Sequence, residues 1–571
     1  MPPPNNMKTS ALVLGSLLLL TTCSESAETA KPRPNVIVIV SDDQGYGDFG
    51  FTGNKVLKTP HLDALFSQSA CFTNFHVSPV CSPSRASIMT GRYNYRTGIW
   101  DTWKGRAGMR GDEVTIAEIL SQVGYSTGLF GKWHLGENQP QRPADQGFQQ
   151  SPAFVGRFHP VVIKNGKSDK RQGFLDDIVF DEAMSYIESC HKENKPFFAY
   201  VASFLPHDVV SGKAVPDEYV KPYETSPGLT SGDKEIYGMI SKMDENIGRL
   251  LAKVRELGID RDTVVMFLPD NGMLTNSPDL KSEPEILACR THQVGQRFNA
   301  GLRGGKATIY EGGIRVPLLV RWTDRFQPNP DVGQLTAHID LLPTILDLCG
   351  VQAAAKNKID GRSLVPLLEG RPAGWDDRSL VIQCHRVEQP QKFHECAVFQ
   401  GDYKLLNGNE LYDVKADPGE KIELSARHPE LVAKMNASYE KWFADVTGRG
   451  FEMSEVWLGS PEQKQLDLAY DHKFSTGWAL KVIKKGSCRF VIKGIRHEIF
   501  GKNGAFTLVT PTGSHTKAID PGSDELAFDA IELSEGRNVI NVIPSGVIKQ
   551  RKRYYGDPDD GYESLLVSMA D

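Results

Sequence analysis

Short unbroken runs of apolar residues recur in the first half of the chain, and three of these runs are followed by polar residues. The runs and the residues that follow them are Val36–Val40 before Asp42 and Asp43, Phe197–Val201 before His207, and Val264–Leu268 before Asp270 and Asn271. Apolar runs of this length without alternation are typical of strands that are buried on both faces of a sheet. The pattern therefore predicts three core strands with polar groups at their carboxyl ends.

Between these runs the apolar residues recur at helical spacing, so strand and helix alternate. The predicted helices are Val114–Val123, Phe180–Cys190 and Glu235–Leu257, and a further strand, Val316–Arg321, and helix, Leu341–Cys349, extend the pattern. This alternation predicts an α/β fold, with a mostly parallel central sheet flanked by helices on both faces. Ligands of such sheets bind beyond the carboxyl ends of the strands, so we expect the polar clusters to meet in one pocket.

The pattern changes in the last third of the chain. Strand candidates at Leu380–Gln383, Ala397–Phe399 and Tyr403–Leu406 precede a helix at Pro429–Val446, which predicts a small α+β subdomain. Short alternating segments then predict a terminal β-sandwich, and they are Trp478–Val482, Phe490–Lys493, Phe506–Val509, Val539–Ile543 and Leu565–Val567. The expected division is a leader at 1–30, a main α/β domain at 31–375, the subdomain at 376–450 and the β-sandwich at 451–571.

The chain has 571 residues, of which 40% are hydrophobic and 24% are charged, so it holds enough apolar matter for packed cores. This composition excludes a disordered chain, a coiled coil and a collagen-like protein. Lys and Arg number 65 against 71 Asp and Glu, which leaves a net charge of -6. Because this balance does not supply the broad positive field of a general nucleic-acid binder, no nucleic-acid partner is expected.

The start of the chain has the order of an export signal. A basic residue precedes the apolar run Ala11–Leu20, and small residues lead from that run to Cys23. A run of about ten residues is too short to span a bilayer. The segment resembles a bacterial lipoprotein signal, although Thr22 stands where Gly, Ala or Ser is usual, so both a lipid anchor at Cys23 and plain cleavage near Ser24 or Ser26 are open. We expect an exported protein, periplasmic, at the cell surface or secreted, without a transmembrane span.

The nine cysteines do not form an evident disulfide framework. Cys384 and Cys396 are close enough in sequence to pair in an oxidising compartment, but buried free thiols fit equally well. Cys81 stands apart because it begins the segment Cys81-Ser82-Pro83-Ser84-Arg85. Taken alone, that segment also fits a half-buried cysteine at a proline-containing turn before a helix.

This segment resembles the signature of the type I sulfatases, in which the cysteine is oxidised to formylglycine. Further segments are similar to the same family, in the same order, along residues 34–447. They are Ser41–Asp48, Gly131–Gly136, Pro206-His207, Asp270-Asn271-Gly272, and Arg303–Lys306 continuing to Pro317. The chain thus resembles the arylsulfatase-like, formylglycine-dependent sulfatases of the alkaline-phosphatase superfamily, and the resemblance implies an alkaline-phosphatase-like fold with the catalytic sulfatase domain at 31–375.

The resemblance also implies a calcium ion, and its ligands would be Asp42, Asp43, Asp270, Asn271 and the modified Cys81. Carboxylate and amide oxygens are hard ligands, which suit Ca²⁺ or Mg²⁺ rather than zinc. Adjacent residues of a strand point to opposite faces, so the chain must turn at Asp42 and Asp43 for both to reach one ion. Gly45 and Gly47 are expected to aid that turn by keeping the loop flexible.

The chemistry follows from the aldehyde that the resemblance implies at position 81. Once hydrated, it carries two hydroxyls, of which one attacks sulfur and displaces the substrate alcohol to give a covalent sulfo-enzyme. Loss of the second hydroxyl proton then expels sulfate. The implied roles are Arg85 holding the nucleophile, His134 accepting the proton of elimination, Lys132, His207 and Lys306 binding sulfate oxygens, and His207 protonating the leaving oxygen. A formylglycine-generating or anaerobic sulfatase-maturating enzyme is the implied partner.

Fewer residues bear on the substrate. His385 and Arg386 resemble a position that faces the glycan in polysaccharide sulfatases, with a solvated surface pair as the alternative. Arg142 and Asp145 are expected to brace a loop near the pocket. The basic run at 549–553 fits an exposed strand end better than a polyanion site. Export and an added β-sandwich favour a sulfated carbohydrate substrate.

Two other functions fit parts of the sequence. One is hydrolysis of a phosphate or phosphonate ester by a related enzyme of the same superfamily, which Asn271 disfavours because phosphonate hydrolases of that group resemble Asp-His at this position. The other is a noncatalytic surface protein that binds sulfated glycan through the β-sandwich, with Cys81 never oxidised. The favoured function is a calcium-dependent sulfatase that acts on O-sulfate esters of carbohydrate.

Overall fold

The computed structural model of the chain describes Met1 and residues 33–569, other than 103–104, 208–213, 282, 353–355, 376–377, 388, 470–476 and 548–561. Residues 2–30 of the predicted leader, with Cys23, and the basic run at 549–553 lie outside the described residues. In the part of the chain that is described, none of the helices has the length and apolar character needed to cross a membrane.

A mostly parallel sheet forms the centre of the molecule. Its strands, in spatial order, are Asn329–Val332, Ala70–His76, Arg315–Arg321, Thr263–Pro269, Asn35–Ser41, Phe197–Ala202 and Ser126–Gly131, with Thr336–Ala337 also paired to Ala70–His76. Arg315–Arg321 runs antiparallel to both of its neighbours, and the other pairings are parallel. The three predicted core strands thus lie side by side, and their carboxyl ends share one edge.

Helices cover both faces of this sheet, as the alternation of strand and helix predicts. Alternate residues of Asn35–Ser41 enter two separate cores. The helices over one face are Cys81–Thr90, Ile116–Gln122 and Leu341–Leu348, and those over the other are Pro60–Phe66, Leu175–Lys192 and Ser231–Glu256. The remaining α-helices of this part of the chain are Asp217–Val220, Glu283–Thr291, Glu311–Ile314 and Val365–Leu368. Because each face of the central strand is buried, its sequence is an unbroken apolar run.

Two smaller antiparallel sheets are added to this layer. One has the strands Ser379–Gln383, Cys396–Gln400, Tyr403–Leu406 and Glu410–Asp413, and it packs against the helix Pro429–Val446. The other has the strands Ala153–Val155, Val161–Lys164 and Lys167–Lys170. The first corresponds to the predicted α+β unit, and sequence gave no sign of the second because its strands are short and largely exposed.

The C-terminal part consists of two further sheets that share one hydrophobic core. The five-stranded sheet has the order Val456–Leu458, Trp478–Val482, Gly536–Val547, Phe500–Thr510, Gly513–Ala518, and the four-stranded sheet has the order Gln465–Ala469, Ser564–Met569, Gly486–Lys493, Glu525–Leu533. Leu480 and Leu508 of the first sheet and Phe490 of the second are fully buried in that core. The arrangement is that of a sandwich.

The cysteines of the described residues are all free and buried. Cys384 and Cys396 are therefore buried thiols rather than a disulfide. Burial raises the pKa of the Cys396 thiol to about 12, so it stays protonated at neutral pH and behaves as a small apolar side chain.

Candidate active site

Cys81 is the first residue of the helix Cys81–Thr90, every residue of which is buried. Val80 before it is extended, and Ser84 ties the start of the helix to the preceding segment by accepting from the amide of Ser78 at 3.0 Å and donating to its carbonyl at 3.1 Å. The helix ends at Gly91, whose φ of 66° is the left-handed conformation that favours glycine. The alternative of a half-buried cysteine is wrong, because Cys81 is only 1% exposed.

The acidic residues predicted to bind a metal surround this thiol. Asp42 and Asp43 follow the strand Asn35–Ser41, and Asp270 follows the neighbouring parallel strand, in which Pro269 pairs with Ser41. The Cys81 thiol donates to Oδ1 of Asp42 at 3.3 Å and lies 3.9 Å from Oδ1 of Asp43. The amide of Asp43 donates to Oδ1 of Asp270 at 3.2 Å. Residues that are about 230 positions apart in sequence therefore meet at one point.

Asp43 provides the turn that lets both carboxylates face the thiol. Its φ of 64° lies in the left-handed region, which few residues other than glycine adopt. The expectation that Gly45 and Gly47 keep the loop flexible is wrong, because close packing explains them instead. A Cβ on Gly45 would lie 2.9 Å from the backbone nitrogen of Met273, and one on Gly47 would lie 2.2 Å from the carbonyl oxygen of Phe298.

Three positively charged groups oppose the acidic residues. Lys132 follows the strand Ser126–Gly131 and donates from Nζ to Oδ2 of Asp42 at 2.5 Å, with the Cys81 sulfur at 3.5 Å. Lys306 donates to Oδ2 of Asp43 at 2.7 Å. Arg85 donates to Oδ2 of Asp270 from both Nε and Nη2, and its Nη1 reaches the carbonyl of Lys132 at 2.8 Å. Anionic and cationic groups are thus interleaved around position 81.

This interleaving sets the ionisation of the acidic residues. Burial raises the pKa of Asp42, but positive charges around it, above all that of Lys132 together with that of Arg85, outweigh burial and hold that pKa well below its usual range. Burial and the charge of Asp42 raise the pKa of Asp270 to about 6, although Arg85 opposes the rise. Burial, followed by the charges of Asp270 and Asp42, raises the pKa of the Cys81 thiol well above its usual value. An unmodified Cys81 is therefore a poor nucleophile, because it is the thiolate that reacts.

Two histidines complete the site. Nε2 of His207 lies 3.7 Å from Oδ2 of Asp43, and the His207 side chain is about one third exposed. Burial and the charges of Lys132 and Lys306 lower its pKa. His134 has a φ of 62°, and burial and the charge of Lys132 hold its pKa well below the usual value. Both imidazoles are therefore neutral near pH 7, and a neutral imidazole can accept a proton.

The residues around Cys81 are close enough to hold a metal ion. One ligand atom from each of Asp42, Asp43, Cys81 and His207 lies within 4.8 Å of the others. Asn271 donates from Nδ2 to Oδ1 of Asp43 at 2.9 Å, and its Oδ1 is buried with no hydrogen-bond partner among the described residues. A buried acceptor without a donor is costly, and a cation bound by oxygen atoms would satisfy it.

Comparisons with known proteins identify this constellation. The family described as "Sulfatase" matches residues 34–351, which is more than half of the chain and includes Cys81 and Lys306. The chain belongs to the sulfatase family. A second family, "N-sulphoglucosamine sulphohydrolase, C-terminal", matches residues 305–443 of this sulfatase. The predicted family, the α/β fold and the activity class of a sulfuric ester hydrolase are confirmed, and a noncatalytic glycan-binding protein is not supported.

Curated relatives carry sulfatase names. N-acetylgalactosamine-6-sulfatase of Sus scrofa is 30% identical over 398 residues, which cover 62% of this chain and 70% of the relative. Arylsulfatase A of Homo sapiens is 30% identical over 460 residues, which cover 72% and 83%.

Solved structures share the fold. Ps i-CgsB in complex with k-i-k-neocarrahexaose aligns with a TM-score of 0.63 and 25% identity, covering 72% of this chain and 92% of that chain. The PsFucS1 sulfatase from Pseudoalteromonas sp. aligns with a TM-score of 0.58 and 21% identity, covering 74% and 92%. The second likeness concerns the fold alone.

His385 and Arg386 of this sulfatase are not a solvated surface pair. Arg386 donates to Oδ1 of the buried Asp101 at 3.1 Å. The ring of His385 stacks on that of His394 with centroids 4.0 Å apart, and burial and then the charge of His394 lower the pKa of His385 to about 4. Their role toward a substrate stays a prediction.

A buried charge network behind the site could not be found from sequence. Lys404 of the antiparallel sheet donates to Glu311 at 2.9 Å and lies 2.8 Å from Glu420, and all three side chains are fully buried. His76 lies 3.3 Å from Glu311 on the other side. Glu311 lies in the family-like segment from Arg303 to Pro317. Lys404 and Glu420 lie about a hundred residues further along the chain, and the sequence around them has no pattern that distinguishes them. The network joins the antiparallel sheet to the central one.

Proposed function

We propose that this sulfatase hydrolyses O-sulfate esters of carbohydrate after conversion of Cys81 to formylglycine, with Ca²⁺ as its metal. The observation that carries the proposal is the position of Cys81 between Asp42 and Lys132, with its own thiol held protonated. A thiol that stays protonated does not act as the nucleophile itself, and this supports a reaction by another group at that position.

Asp42, Asp43, Asp270 and Asn271 would hold the Ca²⁺, together with position 81. When bound, the ion supplies positive charge that polarises oxygen atoms and offsets the charge of a sulfate group. Arg85 is a positioning residue, because it holds Asp270 and the carbonyl of Lys132 in fixed places. The choice of these ligands rests on the positions of the residues and on the preference of Ca²⁺ for hard oxygen atoms.

Formylglycine supplies a carbon that carries two hydroxyls when hydrated, a property that neither serine nor unmodified cysteine has. Around it, Lys132, Lys306 and His207 would bind the sulfate oxygens of the substrate. A bound sulfate ester adds negative charge beside His207, which raises its pKa and prepares Nε2 to protonate the leaving oxygen. His134, which is held neutral by burial and by Lys132, would accept the proton that is released when sulfate departs.

A carbohydrate substrate is supported by the relatives and by the added C-terminal sheets. The names of relatives include N-acetylgalactosamine-6-sulfatase, and Ps i-CgsB was crystallised with a neocarrahexaose. We propose a catalytic domain at 31–375, an α+β subdomain at 376–450 and an accessory β-sandwich at 451–571. The apolar leader supports export to the periplasm, the cell surface or the medium, with a maturation enzyme as partner.

The test compares the wild type with Cys81→Ser, both co-expressed with a formylglycine-generating enzyme. We expect the wild type to hydrolyse p-nitrophenyl sulfate faster than p-nitrophenyl phosphate and to desulfate members of a panel of sulfated mono- and oligosaccharides. Cys81→Ser should lose this turnover. Near wild-type turnover by Cys81→Ser would refute the covalent route, a faster phosphate reaction would favour the phosphatase alternative, and turnover of aryl esters alone would refute the carbohydrate assignment.

A further inference from the structure

Two cavities lie where the C-terminal sandwich meets the main α/β domain. The smaller has a volume of about 60 Å³, and His134 lines it on one side and Trp478 on the other. The larger has a volume of about 390 Å³, which is within the range of ordinary ligand sites. Met453 and Ser454 line both cavities. The cavities therefore adjoin and form a series that begins at a residue of the candidate active site.

The sandwich is fixed to the loop that follows His134. The amide of Trp457 donates to the carbonyl of Gln139 at 2.7 Å, and Asn138 donates from Nδ2 to the carbonyl of Asp467 at 3.0 Å. Gln463 donates from Nε2 to Oδ1 of Asn138 at 2.6 Å. These hydrogen bonds fix one wall of the larger cavity in position relative to the loop that follows His134. We call that cavity the seam pocket, and its residues used below are Arg110, Arg449, Trp457, Lys481 and Arg537.

Two of the four cations in the seam pocket are neutralised by nearby carboxylates. Arg449 lies 2.8 Å from Asp112, and Arg537 lies 2.8 Å from Glu455. Neither Arg110 nor Lys481 pairs with a carboxylate of the described residues. Arg110 instead donates to two backbone carbonyls, those of Arg96 at 3.2 Å and Gly450 at 2.9 Å. Glu452 also lines the pocket, 3.9 Å from Arg537, so four cations face the three carboxylates of Asp112, Glu452 and Glu455, and the lining keeps an excess of one positive charge.

The positions of these two cations suit a sulfated sugar. Nζ of the exposed Lys481 lies 5.4 Å from the ring centroid of Trp457, and the Trp457 side chain is only partly buried. The ammonium lies over the face of the Trp457 ring as a cation–π pair, so the ring holds Lys481 in place and the exposed side of the ammonium can pair with a sulfate. Burial and the positive charge of Arg449 lower the pKa of Arg110. A bound anion would relieve that repulsion.

We propose that the seam pocket is a distal subsite that takes a sulfated sugar residue of an oligosaccharide whose reacting sulfate lies at Cys81. The carbohydrate class of the ligand rests on the proposed function. The accessory sandwich then forms one wall of the substrate site through Trp457 and Lys481. A sulfated chain is favoured over a neutral one because the unpaired groups of the pocket are cations.

The test uses the full chain and the variants Lys481→Ala and Trp457→Ala. Lys517→Ala is a matched control, because Nζ of this exposed lysine lies 5.6 Å from the ring centroid of Phe528 on the same sandwich but does not line the pocket. Binding of short-chain dextran sulfate and of unsulfated dextran is measured by isothermal titration. We expect dextran sulfate to bind the wild type and Lys517→Ala equally, and each pocket variant about 5- to 10-fold more weakly, the loss of roughly 1 kcal/mol.

Unchanged dextran sulfate affinity in both pocket variants, no binding to the wild type, or equal binding of unsulfated dextran would each overturn the subsite. Turnover of p-nitrophenyl sulfate by the control Lys517→Ala should equal that of the wild type. A wild type without any sulfate ester turnover would refute the proposed function and leave the binding comparison intact. The two failures are therefore distinguishable.

Discussion

Arg85 donates two hydrogen bonds to one and the same oxygen of Asp270, from Nε at 2.9 Å and from Nη2 at 2.8 Å, while both side chains are fully buried. Its remaining nitrogen, Nη1, holds the carbonyl of Lys132. A planar guanidinium therefore connects a candidate metal ligand with the backbone of a candidate sulfate-binding lysine. A single ammonium group cannot make these contacts together.

Arg85→Lys should therefore lower kcat/KM for p-nitrophenyl sulfate by about 100-fold, because both Asp270 and Lys132 lose their fixed positions. Binding of Ca²⁺ should weaken in the same variant, which a purely structural role elsewhere would not cause. Arg142→Lys is the control, since Arg142 braces a loop through Asp145 at 2.8 Å and lies outside the charge cluster. Equal losses in the two variants would contradict the positioning role.

Calcium should stabilise the protein after treatment with a chelator. An ion that binds only the folded state, at about 100 times its dissociation constant, adds about 2.7 kcal/mol to the free energy of unfolding. We expect the Tm of the chelator-treated enzyme to rise when Ca²⁺ is added. In Asn271→Ala the rise should be smaller, because the buried amide oxygen is gone. A Tm that is insensitive to Ca²⁺ in the wild type would remove calcium from the proposal.

Conversion of Cys81 should be visible by mass spectrometry without any assay. Replacement of the thiol by an aldehyde lowers the mass of the peptide that contains Cys81 by about 18 Da. Cys71 and Cys81 share the tryptic peptide 59–85, so the control is the peptide 172–192 with the buried Cys190, which should keep its mass. Active preparations in which the Cys81 peptide is entirely unconverted would contradict the formylglycine route.

Asp176 should make stability depend on pH. Burial raises its pKa to about 6 although Ser203 and Asn246 donate hydrogen bonds to it. Because the folded pKa exceeds the unfolded value of about 3.9, the stabilisation from the protonated acid is complete below about pH 4 and lost as pH rises through 6. Well above pH 6, this loss lowers the free energy of unfolding by about 3 kcal/mol.

Thermal unfolding of the wild type and Asp176→Asn between about pH 4 and pH 7 measures this effect. The Tm of the wild type should fall relative to that of the variant as pH increases, since an amide does not titrate. A constant difference between the two Tm values over this range would show that Asp176 does not titrate there.

Gly47→Ala should destabilise the protein by about 1–3 kcal/mol, because the added Cβ would lie 2.2 Å from the carbonyl oxygen of Phe298. Gly333→Ala is a matched control, as the nearest atom to its Cβ is a side-chain oxygen of Asp331 at 3.6 Å. Chemical denaturation of both variants gives the comparison. Equal stability of the two would show that the loop accommodates the methyl group.

The apolar pattern of the chain predicts the core of the fold well. Val36–Val40 and Val264–Leu268 lie within observed strands that pair in parallel, because full burial on both faces leaves a clear signal. The strand Gly513–Ala518 is missed, since its residues are mostly exposed and polar. The antiparallel direction of Arg315–Arg321 depends on tertiary pairing, which no local pattern encodes.

The grouping of the site residues follows from the parallel arrangement of the predicted core strands. Residues after neighbouring parallel strands must meet at one sheet edge, which explains why Asp43 and Asp270 are in contact. The left-handed backbone of Asp43 carries no sequence signal, because glycine would be the usual residue there. Contacts such as that of Arg386 with Asp101 join segments that are 285 residues apart and could not be read from either segment.

The enclosure of Cys81 has a consequence for the order of events in the cell. A side chain that is 1% exposed, at the start of a helix with no exposed residue, is out of reach of a second enzyme once the polypeptide has folded. If Cys81 is converted to formylglycine as proposed, the converting enzyme is therefore expected to act on the chain before it folds. On the same proposal, protein that has folded with its thiol intact is expected to stay unconverted until it is unfolded again.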